Sequence, residues 1–307
     1  MPQYHIWTIG CQMNKAESDR IASYLEQLGY NNTTDFKDAD FVVLNTCVVR
    51  QHAEDKIIGT LGYLKGIKAA NPNLDVVVTG CFVNSKLGEL EKRFPHVNLF
   101  FKPGAYQDLL HWTKDRHMAT EIEPSLLLPP QPSPATFVPI IQGCNNFCSY
   151  CIVPYRRGRE KSLPPEEIVC EVKELVRRGV KETTLLGQNV NSYGHDLPEH
   201  PDLVDLLNEL NQIDGLFRIR FLTNHPKDMS QRLIEAMASL DKVCEHINLP
   251  LQAGDNDILK AMRRGYTAEQ YQHLVDNLQA SIPEIALSTD IIVGFPNESD
   301  KQFARTL

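Results

Sequence analysis

The sequence predicts an α/β protein in two parts: an N-terminal doubly wound parallel sheet domain, followed by a partial (β/α) barrel. Three observations carry this. Short, continuous, β-branched runs alternate with helical patterns along the chain, as strands covered on both faces do. A stretch at 124–136, PSLLLPPQPSPAT, holds five prolines in thirteen residues, which neither a helix interior nor a central strand tolerates. Five strand–helix repeats follow that stretch, as expected of a parallel barrel or part of one. The expected domains are therefore 1–123, a linker at 124–136, and 137–307.

In the first part the predicted strands are YHIWTI (4–9), FVVLN (41–45) and VVVT (76–79). Each is continuous rather than alternating, so each is expected to be buried on both faces. Helical patterns lie between them, such as ESDRIASYLEQLGY, which ends near Gly29. In the second part the predicted strands are FVPIIQ (137–142), TTLLG (183–187), FRIRFLT (217–223), HINLPL (246–251) and ALSTDIIVGF (286–295). The helical stretches PEEIVCEVKELVRRG, PDLVDLLNELNQI, DMSQRLIEAMASL and TAEQYQHLVDNLQ separate or follow them. The sequence stops at FARTL, early in the helix after the fifth strand, so it reads as a piece of a longer protein.

The 307 residues suffice for about two domains. No run of ~18 apolar residues suggests a membrane span. The start, MPQYHIWTIGC, lacks a basic stretch followed by an apolar one, so a cytoplasmic location is expected. A net charge of -8 argues against broad, non-specific nucleic-acid binding but allows a local basic face. Eight cysteines without an export signal are better read as metal ligands or reactive thiols than as disulfides.

Six of those cysteines fall into two sets. CNNFCSYC places Cys144, Cys148 and Cys151 on a loop just after FVPIIQ, with Gly143 making the turn. That is the C-terminal end of the first barrel strand, where barrel enzymes carry their chemistry. Three thiolates can hold three irons of a [4Fe–4S] cube, leaving the fourth iron open to a non-protein ligand. A zinc loop with a distant fourth ligand is the competing reading, although paired CxxC knuckles are the usual zinc pattern. The second set is Cys11, Cys47 and Cys81, which are 36 and 34 residues apart, each just after a predicted strand. A parallel sheet brings such strand ends to one edge, where open α/β sheets bind ligands. Three thiols there can hold a second metal centre with an open position, or can be ordinary core cysteines. Cys170 and Cys244 show no such placement and read as core or surface thiols.

CNNFCSYC has the CxxxCxxC form of the radical S-adenosylmethionine (SAM) enzymes. With GCQMN (10–14), NTCVVR (45–50), TGC (79–81), VPYRRGRE (153–160), LLGQNVNSYG (185–194), LPLQAGDNDILKAMRRGYT (249–267) and STDIIVGFP (288–296), the chain resembles the methylthiotransferase family of radical SAM enzymes. GCQMN and LLGQNVNSYG resemble the branch that modifies N6-dimethylallyladenosine in tRNA. The branches acting on a ribosomal protein and on threonylcarbamoyl-adenosine differ after the first glycine-cysteine pair, where this chain has Gln12 and Met13. The chain departs from the family at Ala253 and Leu163, where serine and arginine are usual, so no role is carried onto either. Family members continue into a sixth barrel strand and an RNA-binding TRAM domain, which this sequence lacks.

The resemblance implies a radical SAM barrel, two [4Fe–4S] clusters and S-adenosyl-L-methionine. The implied metal ligands are Cys11, Cys47 and Cys81 for one cluster, and Cys144, Cys148 and Cys151 for the other. SAM would fill the fourth place on the second of these, and its one-electron cleavage would yield a 5′-deoxyadenosyl radical. Such force suits the hydrogen on C2 of adenine, which no side-chain base can remove. The cluster on Cys11 would supply sulfur, so that two SAM molecules are consumed per turnover.

Candidate SAM contacts are Gly187, Gln188 and Asn189 for the amino group, Arg263 or Arg264 for the carboxylate, and Asp290 with Ile291–Phe295 for the adenosine. Tyr150 would sit beside the adenine. The basic run YRRGRE (155–160) is a candidate for anticodon-loop phosphates or a solvated surface. The implied substrate is tRNA at position 37, with another modified adenosine or a ribosomal protein as alternatives. The implied partners are the tRNA anticodon stem-loop and an electron donor such as flavodoxin or ferredoxin, with a monomer acting away from membranes. A non-catalytic iron–sulfur or zinc protein is the alternative from another class.

Overall fold

The computed structural model describes residues 1–49, 51–83, 86–117, 127–129 and 131–307. It divides into two compact units: Met1–Pro132 with Tyr155–Arg157, and Ser133–Pro154 with Gly158–Leu307. The division falls inside the proline-rich stretch, of which residues 124–126 and 130 lie outside the described residues.

The first unit carries strands β1 (Gln3–Thr8), β2 (Asn31–Asn32), β3 (Phe41–Thr46), β4 (Asp75–Gly80) and β5 (Leu99–Phe100). They form one parallel sheet in the order β2-β1-β3-β4-β5. Helices α1 (Gln12–Gln27), α2 (Gln51–Ala70), α3 (Leu87–Arg93) and α4 (Tyr106–His117) connect and flank them. Every residue of β3 and β4 is buried. Phe41, Val43 and Val77 pack with Ile21 and Leu25 of α1 and Leu109 of α4. Val42, Leu44, Val76 and Val78, which point to the opposite face, are equally buried, so both faces are covered. This strand order changes direction between β1 and β3, and open α/β sheets bind ligands beyond the strand ends at such a point.

The second unit opens with β6 (Ala135–Pro139), β7 (Ile141–Gln142) and β8 (Lys161–Ser162), with the short helix α5 (Val153–Arg156) between the last two in sequence. The predicted strand FVPIIQ is thus broken at Ile140. β6 runs parallel to β9 (Glu182–Leu186), whereas β7 pairs antiparallel with β8. Pro139 has no N–H to extend a regular ladder, and Ile140 changes partners: its N–H donates to Leu186 O at 2.9 Å, and its carbonyl accepts from Leu163 N at 2.9 Å.

Strands β10 (Arg218–Phe221), β11 (His246–Asn248) and β12 (Ala286–Ser288) complete the series. Parallel pairing runs β10-β9-β6 and β11-β12, and a parallel bridge Ile219↔Val243 joins β10 to the residues leading into β11. The strands therefore follow chain order around an open barrel arc. Helices α6 (Pro165–Arg177), α7 (Leu203–Asn211) and α8 (Gln231–Ser239) pack successively, and α8 packs against α10 (Ala268–Ser281). The short α9 (Asn256–Ala261) precedes α10, and α11 (Asp300–Thr306) ends the chain. The predicted run ALSTDIIVGF is mostly loop, with only β12 and a bridge Gln252↔Ile291 in ladder pairing. Among the described residues no helix is long and apolar enough to cross a membrane.

Candidate metal centres

In the first unit, parallel register brings three thiols to one edge. Thr8 pairs with Asn45, and Thr46 pairs with Gly80. Continued past the strand ends, that register sets Gly10 beside Cys47 and Cys47 beside Cys81. A Cβ built on Gly10 would lie 3.1 Å from Cys47 Cβ, and Cys81 N donates to Thr46 O at 2.8 Å. Cys11 stands at the N-cap position of α1. The set therefore straddles the direction change between β1 and β3.

Beneath the thiols lies a buried polar network. Asn14 donates to Asn45 Oδ1 at 2.7 Å and to Thr46 O at 2.9 Å, and its own Oδ1 accepts from Cys11 Sγ at 3.3 Å. Burial pushes the Cys81 thiol pKa up, and the Arg157 guanidinium opposes that by charge and hydrogen bond. NTCVVR is described as far as Val49; Arg50 lies outside the described residues.

Arg157 changes the reading of YRRGRE. It does not face solvent: it is 7% exposed and forms a two-point ion pair with Glu17, at 2.7 and 3.3 Å. A buried, paired guanidinium cannot meet RNA phosphates. Arg159 instead lies over the Phe147 ring, 4.4 Å from its centroid, and stays exposed, as does Tyr155.

In the second unit, one loop holds Cys144, Cys148 and Cys151, and several bonds fix it. Gly143 turns the chain at φ +83°, and its N–H donates to Gln188 Oε1 at 2.5 Å. Cys144 N donates to Gly158 O at 3.2 Å, Ser149 N to Met262 O at 3.1 Å, and Cys151 N to Cys148 O at 2.9 Å. Asn146 N points at Cys144 Sγ at 3.5 Å, an amide-to-sulfur contact that suits a thiolate ligand. Burial raises the Cys144 pKa to about 11 and pushes Cys151 up as well. Both thiols thus need a cation before they ionise readily.

Among the described residues no group of three or more Cys, His, Asp or Glu side chains is gathered as a ready ion site. The donor chemistry nonetheless fits an iron–sulfur cluster at each set: three soft thiols apiece on neighbouring backbone positions, with a guanidinium at hand. Cys170 is exposed on α6 and Cys244 is half-buried, each apart from the two sets in sequence and element.

The predicted SAM contacts divide by role. Gln188 holds the turn before Cys144. Gly187 is a packing glycine, since a Cβ there would come 2.4 Å from Ile141 Cγ2. Asn189 is buried and donates to Asp228 Oδ2 at 2.7 Å, while its Oδ1 has no hydrogen-bond partner among the described residues. Arg263 is exposed in a left-handed turn at φ +59°. Arg264 is buried and donates to Cys148 Sγ at 3.4 Å. Asp290 is exposed and accepts from Asn248 Nδ2 at 3.3 Å. Ile292 and Phe295 pack on a small core with Ala253, while Ile291 and Val293 are exposed. Tyr150 lies part-exposed on the cysteine loop, its hydroxyl pKa raised by burial.

Sequence reasoning missed Glu17 and His225. His225 is 6% exposed, takes a hydrogen bond from Lys227 N on Nδ1 at 3.2 Å, and has no partner for Nε2 among the described residues. Its place in TNHP, just after a strand, was the available signal.

Residues 138–307 match the model of the Radical SAM superfamily, and residues 3–102 match that of uncharacterized protein family UPF0004. A tRNA-2-methylthio-N(6)-dimethylallyladenosine synthase of Dehalococcoides mccartyi is 54% identical over 303 residues, covering 99% of this chain and 70% of that protein. This chain belongs to that family of radical SAM proteins. The family's synthase from Thermoanaerobacter sp. is 46% identical over 323 residues, covering 99% of this chain and 67% of that one. Among solved structures, the cobalamin-dependent SAM radical enzyme OxsB aligns with a TM-score of 0.69 at 14% identity, covering 100% of this chain and 51% of that one. The radical SAM methyltransferase TsrM from Kitasatospora setae aligns at 0.67 and 14%, covering 98% and 69%. These two likenesses are of fold. Membership in the radical SAM superfamily implies SAM and a [4Fe–4S] cluster.

Proposed function

We propose that the chain adds a methylthio group to C2 of N6-dimethylallyladenosine beside the tRNA anticodon, using two clusters and two SAM molecules per turnover. The observation that carries this reading is the pair of three-cysteine sets: one across the strand ends of a parallel sheet, one on the first loop of a barrel. Each leaves one coordination place for something other than protein. The names of relatives 46–54% identical supply the substrate.

When bound, the clusters and SAM supply the one-electron chemistry needed to functionalise a C–H bond that no side chain could deprotonate. The chain's own part is placement. Gln188 fixes the turn that presents Cys144. Gly187, Gln188 and Asn189 after β9, and Asp290 after β12, offer polar groups for SAM, with Tyr150 beside its adenine. Arg264 is committed to Cys148, Pro250 and Tyr266, which leaves the exposed Arg263 for the SAM carboxylate. Arg156 and Arg159 are the basic residues of YRRGRE left for RNA phosphates. A one-electron protein donor of the flavodoxin or ferredoxin class supplies the electron.

Iron and acid-labile sulfide content after anaerobic reconstitution tests this. We expect about eight irons in the chain and about four in a Cys144/Cys148/Cys151 triple alanine variant, with SAM-dependent methylthiolation of tRNA only in the former. About four irons in both proteins removes the SAM cluster. Zinc with little iron returns the chain to the metal-stabilised binding proteins.

A further inference from the structure

Each cysteine set has one buried arginine against it, and the two arginines differ in what neutralises them. Arg264 is 5% exposed. Its Nη1 donates to Cys148 Sγ at 3.4 Å, Nη2 to Pro250 O at 2.9 Å, and Nε to Tyr266 Oη at 2.9 Å. Tyr266 is itself anchored on Leu251 O at 2.7 Å. Positive-φ residues stand on both sides of the arginine, Arg263 at +59° and Gly265 at +75°. No carboxylate among the described residues pairs with it.

Arg157 is as deeply buried but is paired. Both oxygens of Glu17, itself 4% exposed, meet its guanidinium, and Asn14 Oδ1 accepts from Nη2 at 3.4 Å. The same guanidinium reaches the Cys81 thiol and lies within electrostatic range of Cys11. One site therefore carries a neighbouring positive charge, and the other a neutral pair.

We propose that Arg264 is a positioning residue whose unbalanced charge raises the reduction potential at the Cys144–Cys148–Cys151 site, whereas Glu17 cancels Arg157 and keeps the Cys11–Cys47–Cys81 site free of that effect. Reduction adds one electron, and so one negative charge, to a site already built from three thiolates; the electron comes from the one-electron donor. A cation held at a ligand sulfur in a water-poor setting stabilises the added charge more than the starting state. A salt-bridged pair at the same distance nearly cancels. The inference rests on the two-cluster reading above.

The test is EPR-monitored potentiometric reduction of the reconstituted full chain with dithionite. Each site is read alone, in the background where the other three cysteines are alanine. With the Cys144 site present, Arg264→Gln should shift the reduction equilibrium at least tenfold toward the oxidised state, which is 59 mV for one electron. Arg264→Lys, which keeps the charge, should recover most of that shift. With the Cys11 site present, Glu17→Gln should move the equilibrium about tenfold the other way, by exposing the Arg157 charge. Adding Arg157→Gln to Glu17→Gln should restore the starting potential. Equal shifts in Arg264→Gln and Arg264→Lys, or none in either while iron content holds, overturn the role of charge. Failure of the unsubstituted chain to bind iron at one site is a different result, and it overturns the two-cluster reading instead.

Discussion

Two glycines beside the cysteine loop have the same backbone angle and very different surroundings. Gly143 and Gly158 both sit at φ +83°. A Cβ on Gly143 would come 2.1 Å from Arg159 O and 2.5 Å from Arg159 C, whereas one on Gly158 would meet nothing within 4 Å among the described residues. Alanine at either position bears the left-handed penalty of about 1 kcal/mol. At Gly143 the backbone must also open by about 1 Å, because Cβ contacts below 3.0 Å do not persist. That opening breaks two bonds of the loop, Gly143 N to Gln188 Oε1 and Cys144 N to Gly158 O, at about 1 kcal/mol each. We therefore expect Gly143→Ala to destabilise by about 3–4 kcal/mol and Gly158→Ala by about 1 kcal/mol. Urea unfolding of the anaerobic, metal-free chain measures both, and iron content after reconstitution shows whether the Cys144 site survives. Equal losses in the two variants would refute the steric argument and leave only the shared φ angle.

Other expectations follow from the same geometry. Phe41→Ala empties a fully buried position between Tyr30 and Trp112 and should cost about 3–5 kcal/mol in thermal or urea unfolding. Burial, with the Arg264 charge nearby, lowers the His225 pKa to about 3. The unfolded chain then takes up that proton first, so His225 makes stability fall as pH drops from ~6.5 toward 3, by up to ~1.4 kcal/mol per pH unit; unfolding between pH 4 and 7 should show a flatter profile in His225→Gln. Thr267→Ala removes the capping box of α10 and should cost about 1 kcal/mol, seen as a lower urea midpoint. Arg232→Ala, by contrast, should change stability by less than ~1 kcal/mol although it contacts both Asp202 and Asp205, because its side chain is half exposed.

The strands β3 and β4 were legible because a run buried on both faces must be apolar throughout, and few other settings produce FVVLN or VVVT. The shared edge of Cys11, Cys47 and Cys81 was legible because each follows a strand, and strand ends of a parallel sheet share an edge. The break at Ile140 was not, because FVPIIQ is as apolar on either side of the turn. A helix between β3 and β4 was expected from the alternation, but the bounds of α2 were not legible because Gly59, Gly62 and Gly66 weaken its pattern; burial of Ile57, Leu61 and Leu64 on one face supports it regardless. The inward turn of Arg157 had no local signal. A basic run reads as solvated surface, and the carboxylate that reverses that reading lies 140 residues away. Between Arg263 and Arg264 only backbone conformation decides which enters the interior, and the letters are identical.

The tripeptide Tyr155–Arg157 belongs to the first unit although the residues on both sides belong to the second. Heredity is constrained by that interleaving. The proline-rich stretch looks like a natural seam for recombination, yet a gene cut there separates Glu17 from Arg157. A chimera joining residues 1–132 to a foreign barrel inherits a buried carboxylate whose counter-charge must be supplied by the newcomer at one position of one short loop. Swaps among relatives that keep an arginine there preserve the pair. Swaps that lose it bury an unpaired carboxylate, a loss of several kcal/mol. The two halves are therefore bound to descend together, and a library of shuffled chains should return survivors in which position 157 and position 17 travel as one allele.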